Sequence, residues 1–186
     1  MKYLSPAHIL KGAAVLALLL SSCFIASAQN ADSKMISNLF VDVKEHSTLA
    51  MDDAQALEAY TRSGVSWQLH ADKLERIKEH VNNLLADYRA MTRIREEGSP
   101  WQQEAIDQLG PVLKGMADHL TATIQHQNEN PKHVNMPEFV DYVRGNSEYA
   151  TKAASLIHDL VDYGAARTAA ESLEKSLQLP SRAEKD

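Results

Sequence analysis

The imidazoles carry most of the chemistry that this sequence could perform. His70 stands in a run of apolar residues spaced three and four apart, where an aliphatic side chain is expected. A titratable ring at such a position could serve as an axial ligand for non-covalent haem or for a transition metal, with Met116 as the second donor. The plainer expectation is a core-edge histidine bonded to a neighbouring hydroxyl or carbonyl, because buried polar groups are as a rule hydrogen-bonded. No Cys-x-x-Cys-His occurs, which excludes covalent haem attachment.

Two further histidine patterns invite a metal. His158 and Asp162 are four apart and would chelate weakly from one helix face, yet they supply two ligands where zinc takes three or four from protein. His119, His126 and His133 recur every seven residues. On a helix the first two lie about 10 Å apart along the axis and cannot share one ion. No histidine follows a glutamate by three, so the Glu-x-x-His pairs of di-iron bundles are missing. No metal or haem is therefore the primary expectation.

Glu75 and Glu79 share a helix face as a pair of hydrolytic carboxylates might. Asp72–Arg76 and Glu75–Lys78 pairings are available beside them, and a solvated, salt-bridged face is the expectation. Serine, histidine and aspartate fall in no nucleophile-elbow context, and there is neither a glycine-rich phosphate loop nor a His-Glu-x-x-His. The sequence thus predicts a protein that is not an enzyme. Trp67 and Trp101 sit at helix starts and are expected to plug bundle ends. Tyr142, Tyr149 and Tyr163 are expected at the edge of the core.

The elements that must position these residues are helices. Four sets recur at steps of three and four: Ile36 to Thr61, Trp67 to Met91, Ile106 to Thr123 and Phe139 to Gly164. No useful stretch alternates with period two. Gly64 suits a left-handed C-cap and Ser66 the next N-cap. Gly98 ends the second helix, and Ser99-Pro100-Trp101-Gln102 restarts the chain with a capping box and proline in the first turn. Pro111 should bend the third helix, and Pro180 should end the fourth. The expected helices are 33–63, 66–97, 100–128 and 137–178, each about thirty residues or about 45 Å. Short connections make them an all-α, antiparallel up-down-up-down four-helix bundle with coiled-coil-like seams. Ala50, Ala54, Ala150 and Ala154 let the first and fourth helices approach closely. Glu171 and Lys175 are expected to pair on an exposed extension of the fourth helix.

Composition narrows the class. The chain has 186 residues, 44% of them hydrophobic, 7 Gly, 6 Pro and 1 Cys, with a net charge of −6. That is too apolar for a disordered tail, too poor in cysteine for a disulfide scaffold, and too acidic for a general nucleic-acid binder. Lys2 and Lys11 precede an apolar run from Ala13 to Leu20, and Ala26-Ser27-Ala28 follows. Residues 1–28 read as a secretory signal peptide and 29–186 as one helical-bundle domain. Losing two lysines and no acid would take the charge to −8. The rival reading is a bacterial lipobox at Leu20-Ser21-Ser22-Cys23, which would leave a lipid anchor on Cys23. In either case the chain is expected in the periplasm, outside the cell, or at the envelope, with no transmembrane helix after processing.

The resulting expectation is an exported, non-enzymatic bundle that binds or scaffolds at the cell envelope, with another envelope protein or itself as partner through helix faces. A haem- or metal-binding bundle centred on His70 is the first alternative, and an envelope chaperone or stress adaptor the second.

Overall fold

The computed structural model describes residues 32–179. The signal-peptide reading of 1–28 and the lipid-anchor reading of Cys23 fall outside them. Within the described residues the chain forms α1 (Lys34–Tyr60), α2 (Trp67–Arg93), a 3₁₀ turn at Arg95–Glu97, α3 (Pro100–Glu129) and α4 (Pro137–Ser176). It is an all-α, four-helix arrangement.

The stripes read from the sequence are what the helices bury. Ile36, Phe40, Val43 and Leu57 from α1 meet Leu74, Ile77, Val81 and Leu84 from α2, with Ile106, Leu109, Leu113, Phe139, Val143 and Ile157 from the other two helices, all in one core. Each helix is too polar to stand alone in water, so this shared burial is what stabilises it. Ala50, Ala54, Ala150 and Ala154 are all buried. Residue numbers fall along one helix as they rise along its neighbour. Lys44 meets Asp162, Thr48 meets His158, and Gln55 meets Thr151 across α1 and α4. His46 faces Asp87 and Asp53 faces His80 across α1 and α2. Trp101 packs on Tyr163 and His119 on Tyr142 across α3 and α4. Gln127 reaches Trp67 across α2 and α3.

Several boundaries differ from expectation. α1 stops at Tyr60, and Thr61–Gly64 forms a turn in which Gly64 takes the left-handed φ of 64°. α2 stops at Arg93 and tightens into the 3₁₀ turn. Gly98 is extended (φ −81°, ψ 155°), and its role is spatial: a Cβ there would lie 2.8 Å from Ile36 Cδ1. The Ser99–Gln102 capping box is formed. α3 runs unbroken through Pro111, whose ring is on the exposed face. α4 has 40 residues, ten more than α3, and matches the expected span of 137–178 to within two residues at its end. It closes in a Schellman motif: Gln178 has φ 55°, Gln178 N–H donates to Lys175 O, and Leu179 N–H donates to Glu174 O at 2.9 Å. Glu171 pairs with Arg167, four residues before it, at 3.2 Å and not with Lys175.

Candidate functional site

His70 lies at the end of the bundle where the α1–α2 turn meets the start of α4. Its ring is fully buried, edge-on to Tyr60 at 5.9 Å and to Phe139 at 5.8 Å. Nδ1 is 3.0 Å from the carbonyl of Ser66. A carbonyl only accepts, so Nδ1 carries the proton and Nε2 presents a lone pair. That Nε2 is buried with no hydrogen-bond partner. The plain expectation of a satisfied core histidine is therefore half met. Met116 is not its counterpart. Phe139 touches both His70 and His126, and Met116 lies ten residues before His126 on α3, about 15 Å along the axis. An axial His–Met pair cannot form there.

The other sequence candidates are turned to separate partners. His158 Nε2 is 2.9 Å from Thr48 Oγ1, while Asp162 accepts from Lys44 Nζ at 3.1 Å. The two side chains are engaged with α1 one turn apart, not with each other. His119 Nε2 donates to the carbonyl of Tyr142 at 3.1 Å, and Gly145 leaves the room for it, since a Cβ there would lie 2.3 Å from that nitrogen. His126 packs on Phe139 and Tyr142, and His133 is exposed. Glu75 binds Lys78 at 2.8 Å as expected, but Arg76 turns away from Asp72 to Asp53. No group of three or more His, Cys, Asp or Glu side chains is placed to hold a metal among the described residues.

Two polar arrangements were not read from the sequence. The first spans α1 and α2. His46 and Asp53 are seven apart on α1, and His80 and Asp87 are seven apart on α2. Antiparallel packing sets His46 opposite Asp87 at 3.7 Å and Asp53 opposite His80 at 3.5 Å. Lys73 also binds Asp53 at 2.7 Å, from the buried side of α2. Burial pushes the Asp87 carboxyl above its ordinary range; His46 opposes that and neighbouring Asp42 adds to it. The matching seven-residue spacings were the available signal. Reading them needed the register of the two helices.

The second ties α1 to α3. Gln102 is fully buried. Its Oε1 accepts from Ser99 N at 3.1 Å and from Ser33 N at 2.8 Å, and its Nε2 donates to Ser33 O and Ser37 Oγ, both at 3.1 Å. One amide therefore caps two helix N-termini, each of which has backbone donors to satisfy. Beside it, Trp101 Nε1 donates to Asp32 Oδ1 at 2.7 Å. The indole stacks on Phe40 and meets Tyr163 edge-on at 5.4 Å. Gly164 makes the space, since a Cβ there would lie 2.7 Å from the ring. Trp101 thus plugs its end as expected. Trp67 does not, being 38% exposed: its helix begins there, at the edge of the bundle.

Beyond Gly164 the polarity of α4 inverts. The residues that continue its buried stripe are Arg167, Glu171 and Glu174. The apolar ones, Tyr163, Ala166, Ala170, Leu173 and Leu177, follow spacings of three and four on another face and are exposed, Leu173 by 61% and Leu177 by 64%. No described helix is long and apolar enough to cross a membrane. Comparison with known proteins finds no matching family model, no matching curated protein and no matching solved structure.

Proposed function

We propose that this is an exported bundle that works by binding at the cell envelope, with the outer face of distal α4 as the contact surface, and that it is not an enzyme. The supporting observation is the inversion past Gly164: three turns of helix carry their leucines outward on a stem gripped by Trp101. Exposed apolar stripes of this kind mark interaction sites. Export is supported by the composition and punctuation of residues 1–28. A photo-crosslinking residue placed at Leu173 in the native host tests the reading. Covalent adducts at Leu173, and none from the same probe at Leu49 on α1, are expected. No adducts at Leu173, or substrate turnover by the purified protein in broad hydrolase and oxidoreductase screens, would contradict it. A ladder of many adducts of different mass would favour the chaperone or stress-adaptor form over a fixed scaffold.

One observation favours a second reading. The unpartnered Nε2 of His70 is a buried lone-pair atom on a ring packed edge-on to Tyr60 and Phe139, and an imidazole nitrogen of this kind can form a single coordinate bond to haem iron or a transition metal. Stoichiometric metal or a Soret band in protein from its native host is the result this reading requires. Colourless, metal-free protein that refuses added haem removes it.

A further inference from the structure

We infer that Asp42, His46 and Asp87 form a site for one divalent transition-metal ion of the zinc class, at the edge of the α1–α2 seam. The inference is independent of the α4 contact surface and of His70. The seam holds two His–Asp pairs of the same make in different surroundings. Asp53 meets Lys73 Nζ at 2.7 Å and Arg76 Nε at 3.4 Å besides His80 at 3.5 Å, so there the chain supplies its own cations. Asp87 meets only His46, at 3.7 Å, and the further charge beside it is another acid, Asp42. Burial pushes the Asp87 carboxyl up, His46 opposes that, and the Asp42 charge pushes it further. No lysine or arginine pairs with Asp42 or Asp87 among the described residues. Two carboxylates and an imidazole therefore stand together without the counter-charge that their twin arrangement has.

Their ligand atoms are also idle. His46 Nδ1 and Asp87 Oδ2 are buried with no hydrogen-bond partner among the described residues. His46 Nε2 and Asp87 Oδ2, 3.7 Å apart, are too distant to bond each other. Two ligands of one tetrahedral zinc, with bonds of about 2.0–2.1 Å, lie about 3.3 Å apart. Closing the pair by a few tenths of an ångström puts both atoms on one ion.

Asp42 is the third ligand. It lies four residues before His46 on α1, the helical spacing from which two side chains reach one metal. It is exposed and makes no hydrogen bond or ion pair among the described residues, so turning it inward breaks nothing. The three side chains are not gathered round one point beforehand. The ion draws them together, and water takes the fourth position. An imidazole among the ligands selects a zinc-class ion over calcium and magnesium, which bind through oxygen. A site assembled by its own ion spends part of its binding energy on ordering side chains, and its affinity is accordingly micromolar. His80 and Asp53 form no such site, because Lys73 and Arg76 already occupy the carboxylate.

Calorimetric titration of zinc chloride into the purified, untagged protein at neutral pH tests this. One zinc per chain at micromolar affinity is expected, with a rise in melting temperature at saturating zinc and no displacement by excess calcium. His46→Gln and Asp87→Asn should each weaken binding at least tenfold, and Asp42→Asn at least threefold. Helical content should be unchanged in all three, because each side chain reaches solvent. His80→Gln should bind zinc as the unaltered chain does. Cobalt in place of zinc should give the visible absorption of a tetrahedral ion with a nitrogen ligand, and His46→Gln should abolish it. An unaltered chain that binds no zinc, or binding that survives His46→Gln, would overturn the site. So would binding indifferent to Asp42→Asn, which leaves only two ligands, or an equal loss in His80→Gln, which places the ion elsewhere.

Discussion

The two ends of the bundle solve the same problem in opposite ways. Each must close a core and satisfy the backbone of two helix termini. At the Trp101 end, Gln102 bonds both N-termini and leaves none of its own polar atoms unpaired. At the His70 end, the ring bonds one carbonyl and buries its other nitrogen bare, while Ser66 caps α2 without a side-chain bond. The same kinds of residue are available at both. What differs is whether the helix starts come together. α1 and α3 begin beside each other, so one amide serves two caps. α2 and α4 begin around a ring that makes only one bond. The satisfied end is also the one from which α4 projects, which places the contact surface on the better-held part of the molecule.

Changing each end in turn should expose the asymmetry. Gln102→Leu strands the Ser33 and Ser99 amides and should cost about 2–4 kcal/mol, read as a fall in the urea midpoint with unchanged slope. An unchanged midpoint would mean that water serves those groups as well. Gly164→Ala drives a methyl group into Trp101 and should cost about 1–2 kcal/mol, with a change in tryptophan fluorescence. His70→Leu removes an unpaired nitrogen and fills its place with carbon, so stability should hold or rise by up to about 1 kcal/mol. A large loss there would reveal a bound partner on Nε2 and make the two ends alike.

The smallest effect belongs to the seam between them. Asp87 holds its proton in the folded chain at a pH where the unfolded carboxylate, with its ordinary value of 3.8, has lost it. The native state then binds more protons, and stability falls as pH rises from 3.8 through the raised folded value. Asp87→Asn should flatten that slope while leaving neutral-pH stability equal or slightly higher. A slope that survives the substitution would assign it to another group.

Fold and site were legible to different depths. The helices followed from apolar spacing, because burying one stripe per helix needs no knowledge of the neighbours. Gln102 was legible as the cap of its own helix, three residues from Ser99, but not as the cap of α1, because that bond spans 69 positions. The His46–Asp87 and His80–Asp53 contacts were hidden for the same reason. His70 stood out as a polar residue in an apolar stripe, yet Met116 was paired with it on side-chain chemistry alone, and the register sets them on different levels. The reversal of the α4 stripe was visible in Leu173 and Leu177. The pattern there still reads as helix, and only the position of the other three helices shows which face is left bare.

Native-state hydrogen exchange at single amides tests the asymmetry most directly. The Ser33 and Ser99 amides, though at helix starts, should exchange as slowly as the core and open only with global unfolding, and the first-turn amides of α2 at Trp67 and Gln68 should exchange by local fraying. Fast exchange at Ser33 and Ser99, equal to that of Trp67 and Gln68, would contradict the account.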